Sequence, residues 1–457
     1  MIDFYPYRDR FAKYHKLPAA GRDRESILAE LATMAHDEDR IADRGRVSGS
    51  IYHGDHDHYA FLTEAFRLFA HANVLQRDMY PSATKLEAEI VAMTAGMLHG
   101  EAAPAVCGVV TFGGTESLIN PLLAYRDRAR AERGIIEPEV IVPITAHPAL
   151  DKGAHLLGIR LVKAPLGADW RVDTGWVGEH VNANTIALVG SAANYAHGLI
   201  DPIAELSDLA LEHDIGLHVD GCLGGFILPW GERLGYDIPP FDFRLPGVTS
   251  ISADTHKYGY ALKGTSVLLY RTPELRRHQY FTQPDWPGGI YFSPGLSGSR
   301  SGGIVAATWA AMVSLGESGY LDVARRIFTT ARKIRDGVAS FPELEVIGDP
   351  TFLVAFRARD LDIFHVNDRL AELGWRLNSL QLPPALHFCV TRPNTADGVA
   401  EQFIADLGQA VEYAKHPPDE SARSGALYGL GGSPTGNEAL ETLFGAALDA
   451  MYEVAPD

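Results

Sequence analysis

The sequence is poor in cysteine, in lysine and in long apolar runs, and each scarcity excludes something. Its three cysteines, Cys107, Cys222 and Cys389, stand far apart. They lack the paired spacing of a zinc site or a dithiol motif, so neither a disulfide framework nor a thiolate metal centre is expected, and the pattern suits a reducing compartment. No stretch approaches the roughly 18 to 20 apolar residues that span a bilayer. The N-terminus, "MIDFYPYRDRFAKYHK", puts charges and tyrosines where a secretory leader carries an apolar run. A soluble, cytoplasmic protein is expected, though export without a leader would leave no trace. Positive charge is short as well, with 40 Lys and Arg against 58 Asp and Glu, a formal charge of −18. Nucleic acid is therefore not an expected partner, because neutralising phosphates takes a basic surface. An anionic ligand must be gathered by a local cationic pocket.

Only nine of the 40 basic residues are lysine. Two of the nine, Lys257 and Lys263, share the segment "SISADTHKYGYALKG", residues 250 to 264. Arginine supplies charge and planar hydrogen bonding but keeps its proton, so it cannot serve as an amine nucleophile. Lysines retained in a Gly- and Tyr-rich segment are candidates for chemistry that arginine cannot do. The bland alternative is a pair of solvated loop residues.

At 457 residues with 46% apolar and 21% charged content, the chain predicts a large domain and a smaller one. From about residue 59 the spacing of Phe61, Leu62, Ala65, Phe66, Leu68 and Phe69 predicts an amphipathic helix, and another should run from about 84 to 99. Beyond it, "VCGVVTF", "VIVPI", "TIALVGSA", "GLHVD" and "VTSIS" alternate with helical stretches such as "LINPLLAYRDRAR" and "AELSDLALEH". That alternation predicts an α/β fold with a mostly parallel central sheet and helices on both faces. After "SVLLYR" a helix through "GGIVAATWAAMVSLGESGY" leads to "ELEVIGD", "FLVAFRA" and "ALHFCVT", a smaller C-terminal α/β domain. The expected division is a mainly helical 1–95, a large domain over 96–315 and a small one over 316–457. The Gly-rich "GALYGLGGSPTGNEAL" is expected to be a loop before the last helix.

Ligands of open α/β sheets gather beyond the carboxyl ends of the strands. There, "FGGTES" puts Gly113, Gly114 and Thr115 at a helix start, a phosphate site in reach of free N–H groups, although the same residues also cap ordinary helices. "PITAHPAL" ends a strand with His147, a ring able to stack on a flat ligand or simply a satisfied buried histidine. "GLHVDGCLGGF" ends another with Asp220 among apolar neighbours, where a carboxylate needs a partner. "SADTHKYG" follows a third with His256 and Lys257. A phosphate seat, a stacking ring, a buried carboxylate and an amine nucleophile, in this order, are the requirements of pyridoxal phosphate.

The segment "VTSISADTHKYGYALKGTSVLLYR" resembles the cofactor-lysine region of the sphingosine-1-phosphate lyases. These belong to the fold-type I pyridoxal-phosphate group that also holds the glutamate and aromatic amino-acid decarboxylases. "GRVSGSIYHG", "KLEAEIV", "GGTES", "HGLIDPI", "LHVDGCLGGF", "WPGGIYFSPGLSGSRSGG" and "PPALHFC" resemble that family's motifs in its order, from residue 45 to 389. The resemblance implies an aspartate-aminotransferase-like fold and a homodimer with shared sites, to which the N-terminal segment contributes. It implies Lys257 as the Schiff-base lysine, Asp220 on the pyridine nitrogen and His147 stacked on the ring. Gly114, Thr115 and His256 would hold the cofactor phosphate, with Ser301, Gly302 and Gly303 contributing from a second subunit. Ser50, Tyr52, Tyr195, Gln76 and Lys263 would complete the substrate site, Lys263 as a cationic or proton-transferring group. The implied reaction is retro-aldol cleavage of a phosphorylated long-chain base to a fatty aldehyde and phosphoethanolamine.

The sequence departs from the family at "NVLQRDMYP", where His-Pro is usual and Gln76 and Arg77 stand instead, the latter a possible source of the missing charge. Gly221 replaces a usual Ala and Ser301 a usual Pro. The run "YHGDHDHY" offers His53, Asp55, His56, Asp57 and His58 as metal ligands, but alternating ligands on a loop converge only if the backbone allows it, and no metal is expected. Two rival functions are an amino-acid decarboxylase of the same fold, for which the Lys263 and Tyr52 pair has no use, and a catalytically idle pyridoxal-phosphate scaffold, against which intact Lys257, Asp220 and His147 weigh.

Overall fold

The computed structural model describes residues 5–42, 44–417, 421–425 and 434–455. The chain opens with helices α1 (Arg24–Ala42), α2 (His56–Leu68) and α3 (Pro81–Met97). Helix α2 begins at His56, ahead of the expected 59, because Asp55 caps it: the carboxylate accepts the backbone N–H groups of Asp57 at 3.0 Å and His58 at 3.3 Å. Half of the His/Asp run is thus the first turn of a helix and not a loop.

Next come β1 (Cys107–Thr111), α4 (Gly114–Arg133), β2 (Glu139–Pro143), α5 (Ala149–Leu157), β3 (Arg160–Ala164), α6 (Thr174–His180), β4 (Thr185–Ser191), α7 (Ile203–Glu212), β5 (Gly216–Asp220), α8 (Leu228–Arg233), β6 (Ser250–Ala253) and β7 (Ser266–Tyr270). The seven strands form one sheet in the order β1-β7-β6-β5-β4-β2-β3. Strands β2 to β6 pair in parallel, while β7 runs antiparallel to both β6 and β1. The exception has a local cause, for the link 254–265 between β6 and β7 contains no helix, and a parallel return requires a crossover. Every residue of β2, β4, β5 and β7 is buried, as a sheet covered on both faces requires. Edge strand β3 carries Arg160 and Lys163 and is only partly buried, which is why its "RLVKA" gave no apolar signal.

Helix α9 (Pro273–Arg277) leads to the hairpin β8 (Phe281–Gln283) and β9 (Tyr291–Ser293), and then to the long α10 (Gly302–Ala339), which breaks at Gly316 with φ 56° and ψ −178°. Beyond it lie β10 (Leu344–Val346), β11 (Leu353–Ala358), α11 (Ile363–Glu372), β12 (Asn378–Gln381), β13 (Pro384–Cys389), α12 (Val399–Lys415) and α13 (Pro434–Met451). The four strands form an antiparallel sheet in the order β10-β11-β13-β12. One apolar cluster runs from Val219 and Ile251 in the central sheet through Phe226 and Phe328 to Leu353 and Phe388 in the small one, so the two sheets share a core. The glycine-rich residues 426–433, expected to be a loop, lie outside the described residues. No helix among the described residues is long and apolar enough to cross a membrane.

Candidate active site

The sheet topology brings the carboxyl ends of β1, β2, β4, β5 and β6 and the start of β7 to one rim. A buried hydroxyl chain stitches this rim together: Thr111 Oγ1 lies 2.7 Å from Ser117 Oγ, which donates to Ser266 Oγ at 2.8 Å. Helix α4 starts there from Gly113, at φ 95°, with no side-chain cap. Its first N–H groups therefore keep their capacity for an anion. The glycines also permit a close approach. A Cβ on Gly114 would stand 2.8 Å from Asp254 Oδ2, and one on Gly113 would stand 3.5 Å from Cε1 of His256.

Lys257 follows β6 and points its amine at Asp254, Nζ to Oδ2 2.9 Å. Burial by itself would lower the pKa of this amine, but the Asp254 carboxylate outweighs it and the ammonium is held well above the ordinary lysine range. Asp254 is 2% exposed, and its Oδ1 has no hydrogen-bond partner. His256, whose Nδ1 lies 2.5 Å from the Thr265 carbonyl, is pushed down by burial, with Lys263 and Lys257 adding to the effect against Asp254. The sequence reading passed over Asp254, although the residue type and its place three positions before Lys257 were visible.

Near this amine, Tyr52 is buried and packs edge-on against Tyr258 at 5.0 Å. Burial raises its phenol above the ordinary tyrosine range, against the pull of Lys257, and it stays neutral. Lys263 hangs over the Tyr52 ring, Nζ 4.7 Å from the centroid, and donates to the Ser50 carbonyl at 3.0 Å. Desolvation and then the charge of Lys257 lower its pKa. Arg376, entering from the small sheet's side, donates to Ser50 Oγ at 3.4 Å. Two cations thus converge on Ser50. Arg376 was missed because "GWRLN" has no motif and only the tertiary fold carries it here.

Asp220 closes β5. Its Oδ1 accepts the Cys222 N–H at 3.0 Å and the Ser252 hydroxyl at 3.4 Å, and among the described residues it has no ion-pair partner. His147, after β2, is exposed and accepts the Ala149 N–H on Nδ1 at 3.1 Å, which fixes its ring. Tyr195, after β4, meets His387 edge-on at 4.7 Å. His387 lies 3.1 Å from the Ala196 carbonyl through Nδ1 and 2.9 Å from Asn378 Nδ2 through Nε2, so the small sheet props the Tyr195 loop. Burial holds its imidazole neutral, at about 4.

Some expected site residues stand apart from Lys257 within one chain. Gln76 is exposed in a turn, and no hydrogen bond joins it to Lys257, Tyr52 or Lys263 among the described residues. Arg77, expected to lend its charge to a ligand, is paired with Glu87 within the chain. Ser301 caps α10 through the Ile304 N–H at 3.3 Å. Gly302 and Gly303 let that helix approach Ala72 and Phe66, where a Cβ would meet atoms at 2.6 and 2.8 Å. Three residues of the His/Asp run are spent on packing, while His56 and Asp57 are exposed. His53 and His58 stack at 3.8 Å, His58 Nε2 lies 2.8 Å from the Tyr260 carbonyl, and Asp55 pairs with Arg392 at 2.9 Å.

These features match the demands of pyridoxal phosphate. The uncapped glycine start of α4 beside His256 can seat a phosphate, Asp220 lacks a cation that a pyridinium would supply, and Lys257 offers the amine. The family model described as "Pyridoxal-dependent decarboxylase conserved domain" matches residues 48–359. The chain is 43% identical over 450 residues to the sphingosine-1-phosphate lyase of Dictyostelium discoideum, covering 97% of this chain and 83% of that protein. It is 40% identical over 443 residues to sphingosine-1-phosphate lyase 1 of Rattus norvegicus, covering 96% and 77%. The solved structure of the Burkholderia pseudomallei sphingosine-1-phosphate lyase superposes with a TM-score of 0.93 at 53% identity, covering 99% of this chain and 100% of that one. A Lactobacillus brevis glutamate decarboxylase, at 21% identity and a TM-score of 0.76, shares the fold.

Proposed function

The chain belongs to the sphingosine-1-phosphate lyases of the pyridoxal-dependent decarboxylase family, and from that membership we propose how its residues divide the work. The reaction is cleavage of a phosphorylated long-chain base to a fatty aldehyde and phosphoethanolamine, with pyridoxal 5′-phosphate as cofactor. The single observation that carries the assignment to this chain is the Lys257 amine paired with the Asp254 carboxylate, which itself borders the glycine start of α4.

Pyridoxal phosphate, when bound, supplies an electron sink for the pair released as the carbon–carbon bond breaks. Lys257 would anchor it, Asp220 would serve its ring nitrogen and His147 would stack on the ring. Gly114, Thr115 and His256 would hold its phosphate. Lys263 and Arg376, converging on Ser50, form a cationic lip for the substrate's phosphate. Tyr52, kept a neutral phenol by burial, and Tyr195 orient the substrate hydroxyl. These side chains would act by aligning the substrate as much as by moving its hydroxyl proton.

A second copy of the chain completes the site, with Ser301, Gly302 and Gly303 of the partner subunit beside the cofactor phosphate. The apolar hairpin supports a dimer: Trp286, Ile290 and Phe292 are 54%, 77% and 61% exposed, a surface that calls for a cover. Three thiols without a disulfide suit the cytoplasm. Incubation with a phosphorylated sphingoid base, assaying long-chain aldehyde and carbon dioxide side by side, tests the reading. Aldehyde that disappears in Lys257→Ala is expected. Carbon dioxide from an amino acid with no aldehyde from the base would assign a decarboxylase instead.

A further inference from the structure

The pair formed by Lys257 and Asp254 raises two chemical problems at once. An ammonium is not a nucleophile, so Lys257 must lose a proton before it can condense with an aldehyde. The carboxylate that holds this proton, 2.9 Å away, also borders the phosphate seat. Its two oxygens lie 2.8 and 3.0 Å from the point where a Gly114 side chain would begin, and Oδ2 is 3.7 Å from His256 Nε2. Two buried anions so close cannot both stay charged without a large penalty. Oδ1, buried and without a hydrogen-bond partner, is free to form one.

One proton transfer resolves both problems. We propose that Asp254 keeps Lys257 as an unreactive ammonium until an aldehyde bearing a phosphate arrives, and that the phosphate then drives the proton from Lys257 onto Asp254. The ammonium and carboxylate become an amine and a carboxylic acid. The amine adds to the aldehyde and water leaves, while the new acid can donate a hydrogen bond to the phosphate in place of repelling it. Asp254 is thus a loading residue that makes the lysine selective for the phosphorylated form of the cofactor.

The other groups around the pair do not substitute for it. Tyr52 and the Cys222 thiol are kept neutral by burial, and His256 is pushed toward its neutral form by the same cause. Cys389, likewise buried, is raised to about 11. Lys263 is a cation whose charge opposes that of Lys257. Among the described residues, Asp254 is the only carboxylate in ion-pair distance of the amine.

The inference rests on pyridoxal phosphate being the cofactor, and the test separates the two. Cofactor-free full-length protein is mixed at several pH values with pyridoxal 5′-phosphate, with pyridoxal, or with pyridoxal plus inorganic phosphate. Capture is followed by visible absorbance and by borohydride trapping with peptide mapping. Rates are divided by those of a free lysine derivative, which removes intrinsic aldehyde reactivity. In the parent, inorganic phosphate should speed the capture of pyridoxal by about tenfold, the change in neutral amine that one pKa unit gives. In Asp254→Asn, pyridoxal should be captured fast without phosphate and from a lower pH, whereas Asp254→Glu should keep the parent's preference. An unchanged preference and pH profile in Asp254→Asn, or no effect of phosphate on the parent, overturns the role of Asp254 alone. Absence of any label at position 257 in the parent overturns the cofactor assignment beneath it.

Discussion

Replacing Glu87 by Gln should be one of the most damaging single changes away from the cofactor. Glu87 and Arg300 are 5% and 7% exposed. The carboxylate takes two bonds from Arg300, at 2.7 and 3.2 Å, one from the Val110 N–H at 3.0 Å, and another from Arg77. Arg300 also donates to the Val110 carbonyl at 2.6 Å, so this cluster fastens α3 to β1 and to the residue that precedes Ser301. Glutamine would keep the shape but lose the charge, and its amide N–H groups would face guanidinium N–H groups. Breaking a buried pair from one side costs about 3–5 kcal/mol, most of it for the stranded charge. Burial alone would raise the Glu87 pKa, but Arg300 and Arg77 outweigh it and the net direction is down. A depressed carboxylate stabilises the fold above its ordinary pKa, and that contribution is lost as pH falls through the depressed value. Urea unfolding at neutral pH should thus show the full loss, and the gap between parent and variant should close in acid. A double replacement, Glu87→Leu with Arg300→Met, should recover much of the loss because neither charge is stranded. A loss below about 1 kcal/mol in Glu87→Gln, or a gap that persists unchanged in acid, would refute the reasoning.

Three further outcomes follow from the geometry. Lys263→Met should keep the coloured cofactor but lower kcat/KM for the phosphorylated base by about 10- to 150-fold, the worth of one charge-assisted bond of about 1.5–3 kcal/mol, and parent activity should decline as alkaline pH removes the Lys263 proton earlier than in an ordinary lysine. Gly114→Ala puts a methyl group against the Asp254 carboxylate and should weaken cofactor binding at least about tenfold, read by equilibrium titration of absorbance. Burial lifts the Asp201 carboxyl to about 6 against the pull of the Ser191 and Val172 N–H groups. This group stabilises the fold below the ordinary carboxylate pKa and loses that contribution as pH rises through 6, so the advantage of the parent over Asp201→Asn should shrink by about 2–3 kcal/mol between pH 4 and 7.5.

The central sheet was legible because its strands are buried on both faces and therefore read as uninterrupted Val- and Ile-rich runs. β3 and β12 were not, since these edge strands carry charged or polar residues that mask the pattern, and the three-residue strands of the β8–β9 hairpin are too short to show one. The direction of β7 depends on the length and content of the link before it, which a search for strands alone does not weigh. Lys257, Asp220 and His147 could be singled out because each lies at or just beyond the end of a strand that the sequence marks clearly. Asp254 escaped because a carboxylate before a lysine reads as an ordinary turn until burial is known. Arg376 reaches Ser50 across more than 300 positions, and no local spacing announces such a meeting. Gly302 and Gly303 show the opposite limit: their motif was visible, but their service to the approach of α10 and α2 was not.

The link that carries Lys257 and Lys263 leaves from one buried strand and returns into the adjacent one. Between them it is pinned by Thr255 Oγ1 to Thr265 Oγ1 at 2.7 Å, by Tyr258 OH to the Val390 carbonyl at 2.7 Å and by Tyr320 OH to the Gly259 carbonyl at 2.9 Å. A segment so anchored has no cheap way to open by itself, so its amide hydrogens should exchange with deuterium only when the whole molecule comes apart. Lys257 therefore sits on one of the slowest-breathing parts of the chain, and adaptation to a bulky hydrocarbon tail must fall to other segments.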